Sequence, residues 1–176
     1  MNICIIGDGL ASLSLAKNLI NKKINVHIYH KKKKNNLSSN RTIGISKDNF
    51  KYFKKEIQDI KKKHTWEIKK IEVYSEKIKH DKILNFSKEN NGLFFMIKNN
   101  ELYKTLSSQL LKSKFYKNII IKGNDFNQKL LQENKYDLIV NCDSKNFIAK
   151  KYFSKIINKI YNNFAYTTIL QHEVLK

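Results

Sequence analysis

The sequence contains no proline, two cysteines, five glycines and a single arginine, Arg41. Cys4 and Cys142 both lie in apolar runs that read as strands, so buried, reduced thiols are expected rather than a disulfide framework. No stretch approaches the roughly 18 apolar residues that a membrane-spanning helix needs. The opening run Met1-Asn2-Ile3-Cys4-Ile5-Ile6 lacks a basic flank and is cut short by Gly7-Asp8-Gly9, so it does not read as an export signal and a cytoplasmic setting is expected. There is no internal repeat and no long linker, only short polar breaks rich in Asn, Ser and Lys. The histidines His27, His64, His80 and His172 are scattered. No metal-ligand cluster, Ser/His/Asp set or paired carboxylates can be assembled from these spacings, so neither a catalytic residue nor a metal ligand is assigned.

Acidic residues are also scarce: 35 Lys and Arg face 15 Asp and Glu, a net charge of +20. Such an excess ordinarily points to nucleic acid or an anionic membrane surface. Here, however, lysine supplies every basic side chain except Arg41, and Asn and Ile are abundant, a pattern that A/T-rich codon usage produces regardless of function. The lysines are dispersed through almost every segment, whereas a nucleic-acid footprint concentrates on one face or arm. Solvated lysine faces and no nucleic-acid partner are therefore expected, with the run Lys31-Lys32-Lys33-Lys34 as the exception. A basic, non-enzymatic binder of nucleotides or nucleic acid stands as an alternative motivated by charge alone.

With 176 residues, the chain has the length of one domain, which typically takes about 100 to 150. Residues 2–6 are a short apolar run ending at glycines. A helical pattern through Leu10, Leu13, Ala16 and Ile20 follows, then an alternating strand over residues 24–29. Ser46 is a good N-cap for a helix whose apolar face is Phe50, Phe53, Ile57 and Ile60. Trp66, Ile68, Ile71 and Val73 suggest strand, as do residues 93–97. A helix beginning near Asn99 carries Leu102, Leu106 and Leu110 on one stripe. Residues 118–121, 136–140 and 164–170 read as further strands. Strands and helices alternate, which predicts an α/β, Rossmann-like fold with a mainly parallel sheet.

Gly7-Asp8-Gly9-Leu10-Ala11-Ser12 matches the dinucleotide-binding pattern G-x-G-x-x-G with Ser12 in place of the third glycine. Gly7 permits a tight exit from the strand, and Gly9 lets the backbone approach a pyrophosphate. Ser12 and Ala16 let the helix pack close to the sheet. The N–H groups of Leu10, Ala11 and Ser12 would then face the phosphates at the positive end of the helix. A turn that merely needs glycine is the plain alternative; the strand before it and the amphipathic helix and strand after it favour nucleotide binding. An acidic residue is expected at the end of the second strand to hold the adenosine ribose, but His30 takes that place and no Asp or Glu lies between Asp8 and Asp48. Imidazole can donate or accept one such bond; the alternative is a surface residue at a strand end. Lys31 to Lys34 beside it would suit a 2′-phosphate, which makes an NAD(P)-dependent Rossmann oxidoreductase the second reading.

Asn40-Arg41-Thr42-Ile43-Gly44-Ile45-Ser46 resembles the Arg-Thr-Ile-Ala-Leu-Ser stretch of the FAD-dependent aromatic hydroxylases (monooxygenases) of ubiquinone biosynthesis. Tyr136-Asp137-Leu138-Ile139-Val140-Asn141-Cys142-Asp143-Ser144 resembles their Tyr-Asp-Leu-Val-Val-Gly-Ala-Asp-Gly, with Ser144 replacing glycine, Phe147 standing where serine is usual and Lys150 where arginine is usual. The resemblance implies that Arg41 lies against FAD, that Asn99 at a helix start reaches the cofactor, and that Asp143 serves cofactor binding. Arg41 has separate support: where nearly every cation is lysine, one arginine at a motif position suggests a need for the planar guanidinium fork. The family is about twice as long, and its second half carries a Gly-Asp motif absent here, so the chain is expected to be an N-terminal portion. Residues 1–160 would be the FAD-binding domain and 161–176 the first strand leading toward a substrate domain. The implied activity is hydroxylation of an aromatic ring of a quinone (ubiquinone) precursor with NAD(P)H and O₂. The implied partners are that lipid-like substrate, other quinone-biosynthesis enzymes and, peripherally, the inner face of the membrane.

Overall fold

The computed structural model describes residues 1–31, 41–57, 60–75, 82–87, 92–121, 130, 135–152, 159–164 and 166. In chain order the elements are β1 (Asn2–Ile6), α1 (Leu10–Asn21), β2 (Asn25–His30), β3 (Thr42–Ser46) and α2 (Lys47–Glu56). A 3₁₀ turn (Lys62–His64) leads to β4 (Thr65–Ile68), β5 (Lys70–Tyr74), β6 (Lys82–Ser87) and β7 (Phe94–Lys98). Then follow α3 (Asn99–Leu111), β8 (Tyr116–Ile120), β9 (Leu138–Asn141) and α4 (Phe147–Tyr152).

Four strands form a sheet in the order β8-β2-β1-β9, parallel throughout. Taken in chain order these strands run 3-2-1-4 across the sheet, the arrangement of the first half of a dinucleotide-binding fold, with the direction of winding reversing between β1 and β9. Alternation along the strands divides the core in two. Ile3, Ile5, Val26 and Ile28 face one way and join Leu13, Ala16 and Ile20 of α1 and Leu102, Leu106 and Leu110 of α3. Cys4, Ile6 and Tyr29 face the other way, toward Leu130 and Ile148. Both faces are covered, as a parallel sheet requires. No helix among the described residues is long and apolar enough to cross a membrane.

A second sheet, β3-β7-β4, is antiparallel, and its Ile45 and Ile97 enter the same core as α1 and α3. β5 and β6 form a separate antiparallel ribbon. The mainly parallel expectation therefore holds for the β8-β2-β1-β9 sheet and not for the strands between β2 and β8. The strand read through Trp66, Ile68, Ile71 and Val73 is two strands in two sheets, broken at Lys69. Period-two alternation marks extended backbone and carries no information about the partner strand. β3, with Gly44 at its centre, and β6 were not anticipated. The strand expected over residues 164–170 is not formed at Phe164 or Tyr166, and its other positions lie outside the described residues. Lys32, Lys33, Lys34, Asn40, His80 and His172 also lie outside them.

The helices follow their patterns closely. Ser46 caps α2, its Oγ accepting from the Asn49 N–H at 3.4 Å, and Phe50 and Ile57 are buried while Phe53 and Ile60 pack against them. Cys4 is buried, which pushes its thiol up to about 12. Cys142, expected to be buried, is exposed. β9 ends at Asn141, so Cys142 sits in the exit from the strand, tied to the sheet through its N–H to the Ile6 carbonyl at 2.8 Å.

Candidate functional site: the glycine turn at the strand crossover

The turn after β1 lies where β1 parts from β9, the position at which open α/β sheets bind their ligands beyond the carboxyl ends of the strands. Gly7 adopts φ +106°, a conformation open to glycine and strained for other residues, and its N–H donates to the Tyr29 carbonyl at 2.8 Å. A Cβ there would stand 3.3 Å from the carbonyl carbon and oxygen of Cys142 and 3.4 Å from the Asp143 nitrogen. The exit of β9 is thus packed directly onto the turn, with the backbone nitrogen of Asp143 beside Gly7. Gly9 is different: nothing lies within 4 Å of an added Cβ. It is the N-cap of α1 and supplies no side chain to the helix end. Its carbonyl accepts the first helical bond, from Leu13 N–H at 3.0 Å, which leaves the N–H groups of Leu10, Ala11 and Ser12 without partners inside the helix. Gly9 and Ala11 are exposed, so this end of the helix opens outward as a cradle for an anion.

Ser12 is fully buried beneath α1, as close helix packing demands, but its Oγ has no hydrogen-bond partner among the described residues. His30 also carries an orphaned atom. Its Nδ1 lies 3.0 Å from the Lys31 carbonyl, which can only accept, so Nδ1 bears the proton. The same nitrogen is 3.5 Å from Oδ2 of Asp8. In the neutral ring Nε2 is then an acceptor, and it is buried with no partner among the described residues. A ribose hydroxyl is a donor of the kind Nε2 lacks, so the imidazole can replace the expected carboxylate in accepting from it. Asp8 was not picked out from the sequence, although it is the one acidic residue before Asp48 and stands between the two glycines.

Asp143 is half-buried; its N–H donates to Asn141 Oδ1 at 3.1 Å and its Oδ1 accepts from Lys145 N–H at 3.0 Å, so the carboxylate keeps acceptor capacity beside Gly7. Arg41 and Asn99 meet elsewhere: the Asn99 N–H donates to the Arg41 carbonyl at 2.9 Å, where β3 begins beside the end of β7. The guanidinium of Arg41 is exposed and makes no hydrogen bond or ion pair among the described residues. No such bond among these residues links the Arg41–Asn99 pair to the glycine turn. Beside Asn99, Asn100 carries a buried Oδ1 with no partner among the described residues; the repeated asparagine at the helix start was the available signal. No group of three His, Cys, Asp or Glu that could hold a metal occurs among the described residues.

The open backbone cradle at Gly9 and the buried acceptor at His30, without a partner among the described residues, fit the diphosphate and ribose of a dinucleotide such as FAD. No family model and no curated protein matches the sequence. Solved structures do match. PqsL of Pseudomonas aeruginosa, a probable FAD-dependent monooxygenase, superimposes with a TM-score of 0.64 at 10% identity, over 92% of this chain and 48% of that one. A protein of Photorhabdus luminescens subsp. laumondii assigned as an FAD-containing monooxygenase gives 0.60 at 18%, over 89% and 43%. The p-nitrophenol 4-monooxygenase PnpA of Pseudomonas putida gives 0.54 at 11%, over 70% and 34%. The chain thus spans less than half the length of these structures, and what it shares with them is the α/β fold.

Proposed function

We propose that this chain binds FAD through the glycine turn and serves a flavin-dependent monooxygenase that hydroxylates an aromatic ring of a quinone precursor, with NAD(P)H as reductant. The observation that carries the reading is the contrast between Gly7, packed against Cys142 and Asp143, and Gly9, open beyond its Cβ, at the crossover between β1 and β9. The amides of Leu10, Ala11 and Ser12 would hold the pyrophosphate, His30 would accept from the adenosine ribose, and Asp143, Arg41 and Asn99 would hold the rest of the cofactor. When bound, FAD supplies the passage of electrons from NAD(P)H to O₂ that places one oxygen atom on the ring. The protein's own work is to bind, orient and shield. The quinone-precursor substrate rests on the sequence resemblance at Arg41–Ser46 and Tyr136–Ser144, as do partner enzymes of the same pathway and peripheral contact with a membrane.

Isolation of the protein and titration with FAD tests this reading. The expected result is a yellow protein that releases FAD on denaturation. Gly9→Val should weaken FAD binding by about tenfold or more with an unchanged melting temperature, because the added atoms enter the cradle and not the core. A colourless protein that ignores added FAD overturns the proposal. Thermal stabilisation by NADP but not by FAD would instead select the NAD(P)-dependent reading.

A further inference from the structure

At the opposite end of the parallel sheet from the glycine turn is a cavity of about 290 Å³. Its wall is formed where the strands begin, by Asn25 and His27 of β2, by Lys114 and Lys117 around the start of β8, and by Lys135 and Tyr136 just before β9. The volume falls at the lower limit of small-molecule sites, roughly 300 Å³, which suits a compact ligand and not a dinucleotide.

Three features give the cavity a definite chemistry. Among the described residues, Lys114, Lys117 and Lys135 line it and no carboxylate does, and none of the three forms a salt bridge. The nearest acid in sequence, Asp137, is engaged by the Asn2 N–H at 2.6 Å. Two of the lysines also lie over aromatic rings: Lys114 Nζ is 5.4 Å from the Phe115 ring centre and Lys135 Nζ 5.9 Å from that of Tyr136. Finally, His27 Nδ1 is 2.7 Å from the Tyr136 hydroxyl, which is 2.6 Å from the Tyr29 hydroxyl. With the Tyr136 hydroxyl donating to Nδ1, the proton of the neutral ring stands on Nε2, which has no partner among the described residues. Burial, Lys117 and Lys135 together hold the imidazole below its ordinary value, so it is neutral near pH 7.

We propose that this cavity is an anion site, separate from the nucleotide turn, for a phosphate group carried by a small molecule or by a lipid head. Lys114, Lys117 and Lys135 supply the charge, and His27 supplies a directed Nε2–H donor. The site stands or falls independently of FAD binding.

The test is an NMR pH titration of the His27 ring in the whole chain at constant ionic strength, with and without inorganic phosphate. An anion in the cavity cancels the lysine repulsion, so phosphate should raise the His27 pKa saturably by about half a unit or more. In Lys117→Ala/Lys135→Ala the His27 pKa should start higher and no longer respond, while the His64 resonances report that the variant is folded. Vesicles of phosphatidylglycerol in phosphatidylcholine form the second arm. A response to free phosphate supports a small phosphate compound as the source; a response to these vesicles but not to phosphate or to pure phosphatidylcholine supports a lipid head. No response to either, or an equal response in the double variant, overturns the proposal.

Discussion

β1 and β6 are strands of similar apolar content placed in opposite surroundings. Ile3, Ile5 and Ile6 of β1 are at most 2% exposed, whereas Ile83, Leu84 and Phe86 of β6 are about half exposed, from 49 to 52%. The difference is one of neighbours. β1 is hydrogen-bonded on both edges and covered on both faces, while among the described strands β6 pairs only with β5. In the ribbon, Ile71 and Val73 pair with Phe86 and Leu84 on one face, and Glu72, held by Lys70 and Lys82, lies on the other. An apolar side chain contributes roughly 1.5–3 kcal/mol only when it leaves water, so the stability of this protein resides in the parallel sheet with α1 and α3, where the nucleotide turn is anchored.

Paired truncations should make this contrast measurable. Leu106→Ala, at a site with no exposed surface, is expected to cost about 2–5 kcal/mol in urea unfolding, while Phe86→Ala costs about 0.5 kcal/mol or less. An equal cost at Phe86 would mean that the ribbon face is covered in solution. A smaller effect separates the two glycines of the turn. Gly7→Ala must hold φ +106° and press on Cys142, so it should lower stability by about 1–3 kcal/mol by calorimetry, whereas Gly9→Ala should leave the melting temperature unchanged. Equal effects would show that the turn is a structural bend with no open cradle.

The smallest effect is on pH dependence within the ribbon. The Lys82 and then Lys70 hydrogen bonds hold the Glu72 carboxyl down at about 2. A depressed carboxylate stabilises the folded state above its unfolded value, about 4.3, and that contribution is lost as pH falls from there through about 2. Amide exchange in β5 and β6 should therefore accelerate over that range in the native protein, and Glu72→Gln should flatten the profile. An unchanged profile would mean that the ion pairs contribute nothing to holding the ribbon, which is common for exposed pairs.

Much of the site was legible because its signals are local. The glycines of the turn, the stripe Leu102, Leu106 and Leu110, and the Ser46 cap each depend on spacings within a few residues. The single arginine and the Asp143 segment were legible as composition and motif. His30 could be read only as a missing acid; its pairing with Asp8 and the orphaned Nε2 appear once β2 and the turn are side by side. Cys142 was misread because the apolar run Leu138-Ile139-Val140 before it suggests a strand that, in the fold, ends at Asn141, one residue too early to bury it.

The sequence by itself determined the β1–turn–α1–β2 unit and the two amphipathic helices α2 and α3, because hydrophobic period, capping and glycine conformation act within one or two turns of chain. Only the tertiary structure decided that β9 lies against β1 and delivers Asp143 to Gly7, that Arg41 meets Asn99, that β4 and β5 part into different sheets, and that three lysines close around His27. Those pairings join residues far apart in the chain, and they are selected by which faces can be buried together, a property of the whole fold that no local spacing records.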